Sequence, residues 1–190
     1  MPRGDRGVSG AAYSDLMRRR LVLGAALLAT GLLGPSQALA RAPLAHEPAT
    51  IVSVHDGDTI QVHISGRKEK VRLLGIDAPE MNDERPEYRA AAVAARDYAT
   101  SLLAGRHVTL EADPIEPDRD PYDRLLRYVI LPDGTNLNEQ LVRKGYARVY
   151  NRFEFSEKTA FKKVEKAARE AKLGIWALPP GPARVVPEER

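Results

Sequence analysis

The chain contains no cysteine, which excludes a disulfide framework. A length of 190 residues is enough to bury a core without such staples, so the sequence fits one domain of ordinary size with tails. A charge excess is also lacking outside the N-terminal region. Residues 1–40 contain five arginines and two acids, and the remainder balances 24 basic against 24 acidic side chains. Composition therefore does not indicate attraction of the whole protein to nucleic acid, and any binding of phosphate has to be local.

The sequence lacks an apolar run long enough to span a bilayer comfortably, which takes roughly 20 residues. The run over 21–33 instead follows Arg18-Arg19-Arg20 and precedes the small-x-small tripeptide Ala38-Leu39-Ala40. This arrangement predicts an export signal peptide over 1–40, with an uncleaved anchor as the alternative. We expect a periplasmic or secreted monomer that has no stable association with the membrane once the leader is removed.

Proline-rich stretches and β-branched runs divide the rest of the chain. Residues 41–48 are interpreted as a linker, 49–177 as the domain and 178–190 as a disordered tail. The patterns predict strands over 50–55, 59–64, 70–76, 106–112 and 124–131, and helices over 86–103, 136–144 and 156–171. Five short strands in this order fit a small closed barrel with packed helices better than a doubly wound sheet, in which strands and helices alternate. The predicted class is α+β, mainly β.

Two acidic segments, 55–59 and 75–80, are the most informative part of the sequence. The segments contain Asp56, Asp58, Asp77 and Glu80, and Arg72 lies between them. Carboxylate oxygens hold hard divalent cations, and arginine forks match the oxygens of phosphate, so the combination indicates phosphodiester chemistry. Each feature alone has a plainer explanation, an Asp-Gly turn for Asp56 and Asp58 and a structural ion pair for Arg72.

A shared metal site requires the two segments to approach each other. A tight turn at Ser65-Gly66 would place Asp58 opposite Leu73, with Asp77 four residues further along. On a flat ribbon, at about 3.3 Å per residue, the two aspartates would be about 13 Å apart, too far to share an ion. We therefore expect a kink at Gly75 together with barrel curvature. The four histidines show no metal-ligand spacing and are interpreted as incidental.

Five motifs in this order resemble those of staphylococcal nuclease-like domains. They are Val54-x-Asp56-Gly57-Asp58-Thr59, Arg72-Leu73-Leu74-Gly75-Ile76-Asp77-Ala78-Pro79-Glu80, Asp120-x-Tyr122-x-Arg124, Asn138-Glu139-Gln140-Leu141-Val142-x-x-Gly145-Tyr146-Ala147 and Gly174-Ile175-Trp176. The resemblance covers essentially all of 49–177. It implies an oligonucleotide-binding-type fold (OB-fold), a five-stranded barrel with three helices. It also implies a calcium-dependent phosphodiesterase that cleaves DNA and RNA and leaves 3′-phosphate ends.

The resemblance assigns roles to individual residues. The carboxylates of Asp58 and Asp77 and the main-chain carbonyl of Ala78 would bind calcium, and oxygen ligands alone would also accept magnesium or manganese. Arg72 and Arg124 would clamp the phosphate. Asp56 and Thr59 would support the ligands. Glu80 would orient or deprotonate the attacking water. Tyr122 and Tyr150 would contact the substrate. Tyrosines in such a domain, Tyr146 included, more often belong to the core.

Two departures from the family pattern bear on the site. Many relatives have glycine where this chain has Asp123, which adds a negative charge beside Arg124, and the best-known member has threonine where this chain has Ala78. The leading hypothesis is an exported, metal-dependent nuclease of low sequence specificity. The alternatives are a barrel that binds single strands without cleaving them and a structural calcium-binding protein. Retention of the acids and arginines together favours the enzyme.

Overall fold

The computed structural model of the protein describes residues 46–179. This part of the chain contains seven strands, three α-helices and one 3-10 helix: β1 (His46–Val54), β2 (Thr59–Ile64), β3 (Arg67–Leu73), β4 (Ile76–Asp77), α1 (Pro86–Leu103), β5 (His107–Glu111), β6 (Leu125–Ile130), α2 (Leu137–Arg143), β7 (Arg148–Val149), α3 (Lys158–Glu170) and the 3-10 helix Gly174–Ala177. Within 46–179 no helix is both long and apolar enough to cross a membrane.

Five strands form a closed barrel in the order β1-β2-β3-β6-β5. Neighbouring strands are antiparallel except β3 and β6, which run parallel. Apolar side chains that alternate along the strands fill the core, among them Ile60, Val62, Val71, Leu73, Leu110 and Val129. The predicted five-stranded barrel with three helices is confirmed.

The β2–β3 hairpin has the predicted register. Ile64 pairs with Arg67 and Thr59 pairs with Arg72 across the two-residue turn. Both turn residues are left-handed, with φ of 48° at Ser65 and 78° at Gly66, the conformation that matches the twist of the flanking strands. This register fixes Arg72 beside the end of the loop that carries Asp58.

The predicted single strand over 70–76 is wrong. β3 ends at Leu73, and the chain turns at Gly75 (φ 77°) before β4, which pairs with β7 instead of continuing the barrel. A β-carbon at Gly75 would lie 2.6 Å from the Phe155 ring, so glycine is required both for the backbone conformation and for the close approach. The expected kink is therefore present, and it places Arg72 and Ile76 on different strands.

The helices follow their sequence signals closely. Pro86 opens α1, and the Asn136 side chain accepts a hydrogen bond from the backbone N–H of Glu139, which caps α2. α3 begins at Lys158, two residues later than predicted. Ser156 does not cap it: Glu157 occupies the N-cap position, and the Ser156 hydroxyl donates to the carboxylate of Asp113 instead.

The boundaries of the domain need one correction. The linker interpretation is wrong for 46–48, because these residues pair with β5 as part of β1. Glu47 accepts a hydrogen bond at 3.1 Å from the guanidinium of Arg127, a β6 side chain that is 2% exposed and that also pairs with Asp118. The predicted leader, residues 41–45 and the tail beyond 179 lie outside the described residues.

Candidate active site

The Asp56-Gly57-Asp58 loop is a tight turn packed against α1. The Asp56 carboxylate accepts a hydrogen bond from the backbone N–H of Asp58 at 2.9 Å, as an Asp turn does. A β-carbon at Gly57 would lie 2.7 Å from Cβ of Ala78 and 2.8 Å from Cβ of Ala95. Glycine therefore allows the loop to approach both the segment after β4 and the helix. The turn explanation for this motif holds, and the same turn aims Asp58 at the second acidic segment.

Asp58 is a buried carboxylate, 8% exposed, with three donors around it. Its Oδ2 accepts from the backbone N–H of Ala78 at 2.7 Å and lies 3.1 Å from Nη2 of Arg72. Its Oδ1 accepts from the hydroxyl of Thr59 at 3.2 Å. Burial raises the pKa of Asp58 to about 6; Arg72 and the Ala78 N–H oppose this shift, whereas the charges of Asp56 and Asp77 add to it.

Asp77 lies on β4 within reach of two arginines. Its Oδ1 is 3.9 Å from the same Nη2 atom of Arg72 that contacts Asp58, and its Oδ2 is 3.4 Å from Nε of Arg148. The turn at Gly75 thus brings together two aspartates that a flat ribbon would hold about 13 Å apart. Their approach depends on the break in the strand as well as on barrel curvature.

Arg72 is the centre of this carboxylate cluster. Its Nη1 donates to the carbonyl of Leu73 at 2.9 Å, and its side chain is 16% exposed. The structural ion pair named above as the plainer explanation is present. The same geometry also holds a guanidinium in a fixed orientation beside two carboxylates, and a fixed guanidinium is what recognition of a phosphate requires.

Arg124 is positioned separately, by Asp120. Its Nε donates to Asp120 Oδ2 at 2.6 Å, and its backbone N–H donates to Asp120 Oδ1 at 2.9 Å. Arg72 pairs with Leu126 across the β3–β6 ladder, and Arg124 immediately precedes β6, so the two arginines enter the site from neighbouring strands. Its side chain stays 26% exposed. Glu80 is exposed in the segment after β4.

The candidate substrate contacts differ in exposure. Tyr122 is 70% exposed, with its ring 5.4 Å from the guanidinium carbon of Arg124. Tyr150 is half-buried, and its ring lies 5.6 Å from that of Phe153. Tyr146 stacks on Tyr98 at 4.6 Å, so it belongs to the packing and not to an open platform.

Asp123 adopts a left-handed conformation with φ of 62°, a conformation that glycine occupies without strain. This explains in physical terms why glycine suits the position. The Asp123 carboxylate lies 3.4 Å from Nη1 of Arg119, and its backbone carbonyl accepts from the same nitrogen. The added negative charge is thus paired with Arg119.

The residues at the cluster suit a hard divalent cation. No group of three or more acidic or histidine side chains arranged to hold a metal occurs within 46–179, so protein carboxylates alone would not complete a coordination shell. The donors that are present are all oxygens. Burial is the main cause of the raised pKa of Asp58, and the charges of Asp56 and Asp77 add to it, so three carboxylates lie near one another here. Calcium takes six to eight oxygen ligands and accepts carbonyls and water among them, so two aspartates and one carbonyl fit part of such a shell.

Sequence reasoning did not identify the roles of Asp120 and Arg148. Asp120 was within a recognised motif, and an acid four residues before an arginine in a loop is a detectable signal. Arg148 gave none, because β7 has two residues and pairs with β4 across a long separation in sequence. The predicted roles of Asp58, Asp77, Ala78, Arg72, Arg124, Glu80, Asp56, Thr59, Tyr122 and Tyr150 stay predictions.

Fold and site together define an oligonucleotide-binding-type barrel that carries a carboxylate–arginine cluster of the kind suited to phosphodiester chemistry. The family described as "Staphylococcal nuclease homologue" matches residues 70–178. The chain therefore belongs to the staphylococcal nuclease family.

Named relatives agree with this assignment. A thermonuclease of Staphylococcus hyicus is 33% identical over 129 residues, which cover 67% of this chain and 74% of the relative. An uncharacterized endonuclease of Escherichia coli O157:H7 is 35% identical over 127 residues, 67% of this chain and 75% of the relative. Endonuclease YncB of Bacillus subtilis (strain 168) is 36% identical over 124 residues, 64% of this chain and 58% of the relative.

Proposed function

We propose that this protein is an exported, calcium-dependent nuclease that hydrolyses phosphodiester bonds in DNA and RNA with low sequence specificity and leaves 3′-phosphate ends. The observation that carries the proposal is the position of Arg72. Its Nη2 atom lies 3.1 Å from the carboxylate of Asp58 and 3.9 Å from that of Asp77. The names of the relatives, thermonuclease and endonuclease, support the same reaction class.

Asp58, Asp77 and the carbonyl of Ala78 would hold the calcium ion. When bound, calcium supplies positive charge that attracts the phosphate and offsets the charge that develops on its oxygens. The buried carboxylate of Asp58 must be ionised to serve as a ligand. Its pKa of about 6 makes calcium binding weaken as the pH falls below that value.

The chain's own cations and acids have distinct tasks in this proposal. Arg72 and Arg124 bind the phosphate and stabilise the charge that builds up on it during attack. The hydrogen bond from Arg124 Nε to Asp120 pre-orients the guanidinium for this, and a second one from the Arg124 backbone N–H fixes the main chain. Glu80 orients or deprotonates the attacking water, and its exposed position leaves it accessible to solvent. Tyr122 and Tyr150 contact the substrate beside these groups.

The domain organisation is proposed in amended form. The nuclease domain runs from 46 to 177, since β1 begins at His46. It follows a leader over 1–40 that directs export, and a tail begins at 178. The protein acts as a monomer without stable association with the membrane.

The test is cleavage of plasmid DNA, single-stranded DNA and RNA by the purified full chain in calcium, in magnesium and in chelator. We expect cutting in calcium, and a loss of turnover of about 100-fold or more in Arg72→Ala and Glu80→Gln. Arg143→Gln removes an exposed arginine of α2 and serves as the charge-matched control. Products should require phosphatase treatment before a polymerase extends them.

A different outcome would support the binding module instead. Nucleic acid that stays intact under every condition, while the folded protein still binds single strands, would refute the nuclease. Equal cutting by wild type and by both site variants would refute the assignment of the residues.

A further inference from the structure

Arg148 lies directly opposite Asp77 in the β4–β7 ladder. Its Nε is 3.4 Å from Asp77 Oδ2, on the other side of the carboxylate from Arg72. The Nε atom is buried and makes no hydrogen bond, so its relation to Asp77 is one of charge and not of hydrogen-bond geometry. The site thus has a cation on each side of Asp77.

The backbone of β7 holds Arg148 firmly. The N–H of Val149 donates to the Glu165 carboxylate at 2.9 Å, and Glu165 is 7% exposed on α3. The N–H of Tyr150 donates to the carbonyl of Gly75 at 2.9 Å. A strand fixed in this way from α3 and from the turn before β4 presents its side chains in a constant position, as a preorganised binding site needs.

The outer end of the Arg148 side chain is available to a ligand. The side chain is 38% exposed, against 16% for Arg72. Nε is the guanidinium nitrogen that lies 3.4 Å from Asp77, and the two terminal nitrogens donate no hydrogen bond to any residue within 46–179. Terminal guanidinium nitrogens form a planar fork that matches two oxygens of a phosphate.

We propose that Arg148 is a further substrate-binding residue, which contacts a phosphate of the nucleic-acid strand on the Asp77 side of the site. This inference rests on the proposed function. Arg72 is held between the carboxylates, where charge changes during reaction. Arg148 sits at the margin, so it binds substrate and transition state alike. Its loss should therefore raise KM about tenfold and leave kcat within about twofold.

Binding of a labelled single-stranded oligonucleotide tests the contact apart from cleavage. The full chain carrying Glu80→Gln, in saturating calcium, is compared with the same protein carrying Arg148→Gln, Arg148→Lys or the control Arg143→Gln. We expect Kd to rise about tenfold in Arg148→Gln, with a smaller rise in Arg148→Lys. The slope of log affinity against log salt should decrease by about 0.7, the value for one phosphate contact on a single strand. Arg143→Gln should change neither quantity.

Two results would overturn the proposal. One is an Arg148→Gln protein whose Kd and salt slope equal those of the Arg143→Gln control. The other is a lower calcium affinity by calorimetry with unchanged oligonucleotide affinity at saturating calcium, which would make Arg148 a residue that only orients Asp77. The Arg148→Lys variant decides the matter if Arg148→Gln does not fold. If the wild type does not cleave nucleic acid but Arg148→Gln still weakens oligonucleotide binding, the proposed nuclease activity is refuted and the proposed phosphate contact of Arg148 is supported.

Discussion

Replacing Gly57 by alanine should destabilise the protein and loosen the carboxylate cluster together. The added β-carbon would lie 2.7 Å from Cβ of Ala78 and 2.8 Å from Cβ of Ala95, whereas carbon atoms in contact prefer about 3.5–4.0 Å. Neither neighbour can rotate away, because a β-carbon is fixed to its own backbone. The loop, the segment after β4 or α1 therefore has to shift by roughly 1 Å.

The magnitude follows from these two contacts. Forcing an extra carbon into a packed site costs about 1–3 kcal/mol, and two simultaneous clashes place Gly57→Ala near the upper end. Alanine restricts the unfolded chain more than glycine does, which offsets up to about 1 kcal/mol. The net loss in the free energy of unfolding should be about 2 kcal/mol. A shift of this size would also break the 2.7 Å hydrogen bond from the Ala78 N–H to Asp58, so calcium binding should weaken as well.

Urea unfolding in chelator and calcium titration by calorimetry measure the two effects. The Ala95→Gly background provides the control, since it removes one of the two clashing carbons at a helix cost of about 1 kcal/mol. In that background Gly57→Ala should cost less than half as much as in the wild type. An unchanged urea midpoint and calcium affinity in Gly57→Ala would refute the reasoning, as would an equal cost in both backgrounds.

Three further predictions concern ionisable residues. Because the folded-state pKa of Asp58 is raised to about 6, its contribution to stability is present below about pH 4 and is lost as the pH rises through 6. In urea unfolding with chelator, the free energy of unfolding of the wild type should fall by about 3 kcal/mol as the pH rises over this range, relative to that of Asp58→Asn. Burial alone would raise the pKa of Asp113, but hydrogen bonds from Ser156 and Tyr128 hold it below its ordinary value. Asp113→Ala should therefore lower the free energy of unfolding by about 2–4 kcal/mol, and a loss under 1 kcal/mol in the same assay would contradict this. Asp123→Gly should relieve left-handed strain, raise the free energy of unfolding by about 0.5–1 kcal/mol and change kcat/KM less than twofold; a large gain in activity would show that the charge of Asp123 does act on Arg124.

The barrel was predictable where the sequence has local periodicity. Alternating apolar residues and the Ser65-Gly66 turn predict β2, β3 and their register, and Pro86 and Asn136 mark the starts of two helices. β4 and β7 could not be predicted in this way, because a strand of two residues has no period. Their existence depends on Gly75 turning the chain so that Phe155 can pack against it.

The site was predictable in composition but not in contacts. Motif residues predict which carboxylates and arginines are involved. Which atoms meet depends on long-range packing: Asp58 reaches the N–H of Ala78 twenty residues away, and Arg148 reaches Asp77 through a ladder between distant segments. Arg127 was missed for the same reason. Its burial depends on acids supplied by β1 and by the loop before β6.

Closure of the barrel determines where the chain can be shortened. β1 pairs with β2 along one edge and with β5 along the other. A fragment limited to the family match, 70–178, would lose β1 and β2 and expose the open edges of β3 and β5 to pairing with other chains. A version that starts at 49 would keep most of β1 but would remove Glu47, leaving Asp118 as the one acid paired with Arg127 among the described residues. Expression of a shortened protein, and any processing of a leader in the cell, therefore has to leave the chain intact from His46 onward.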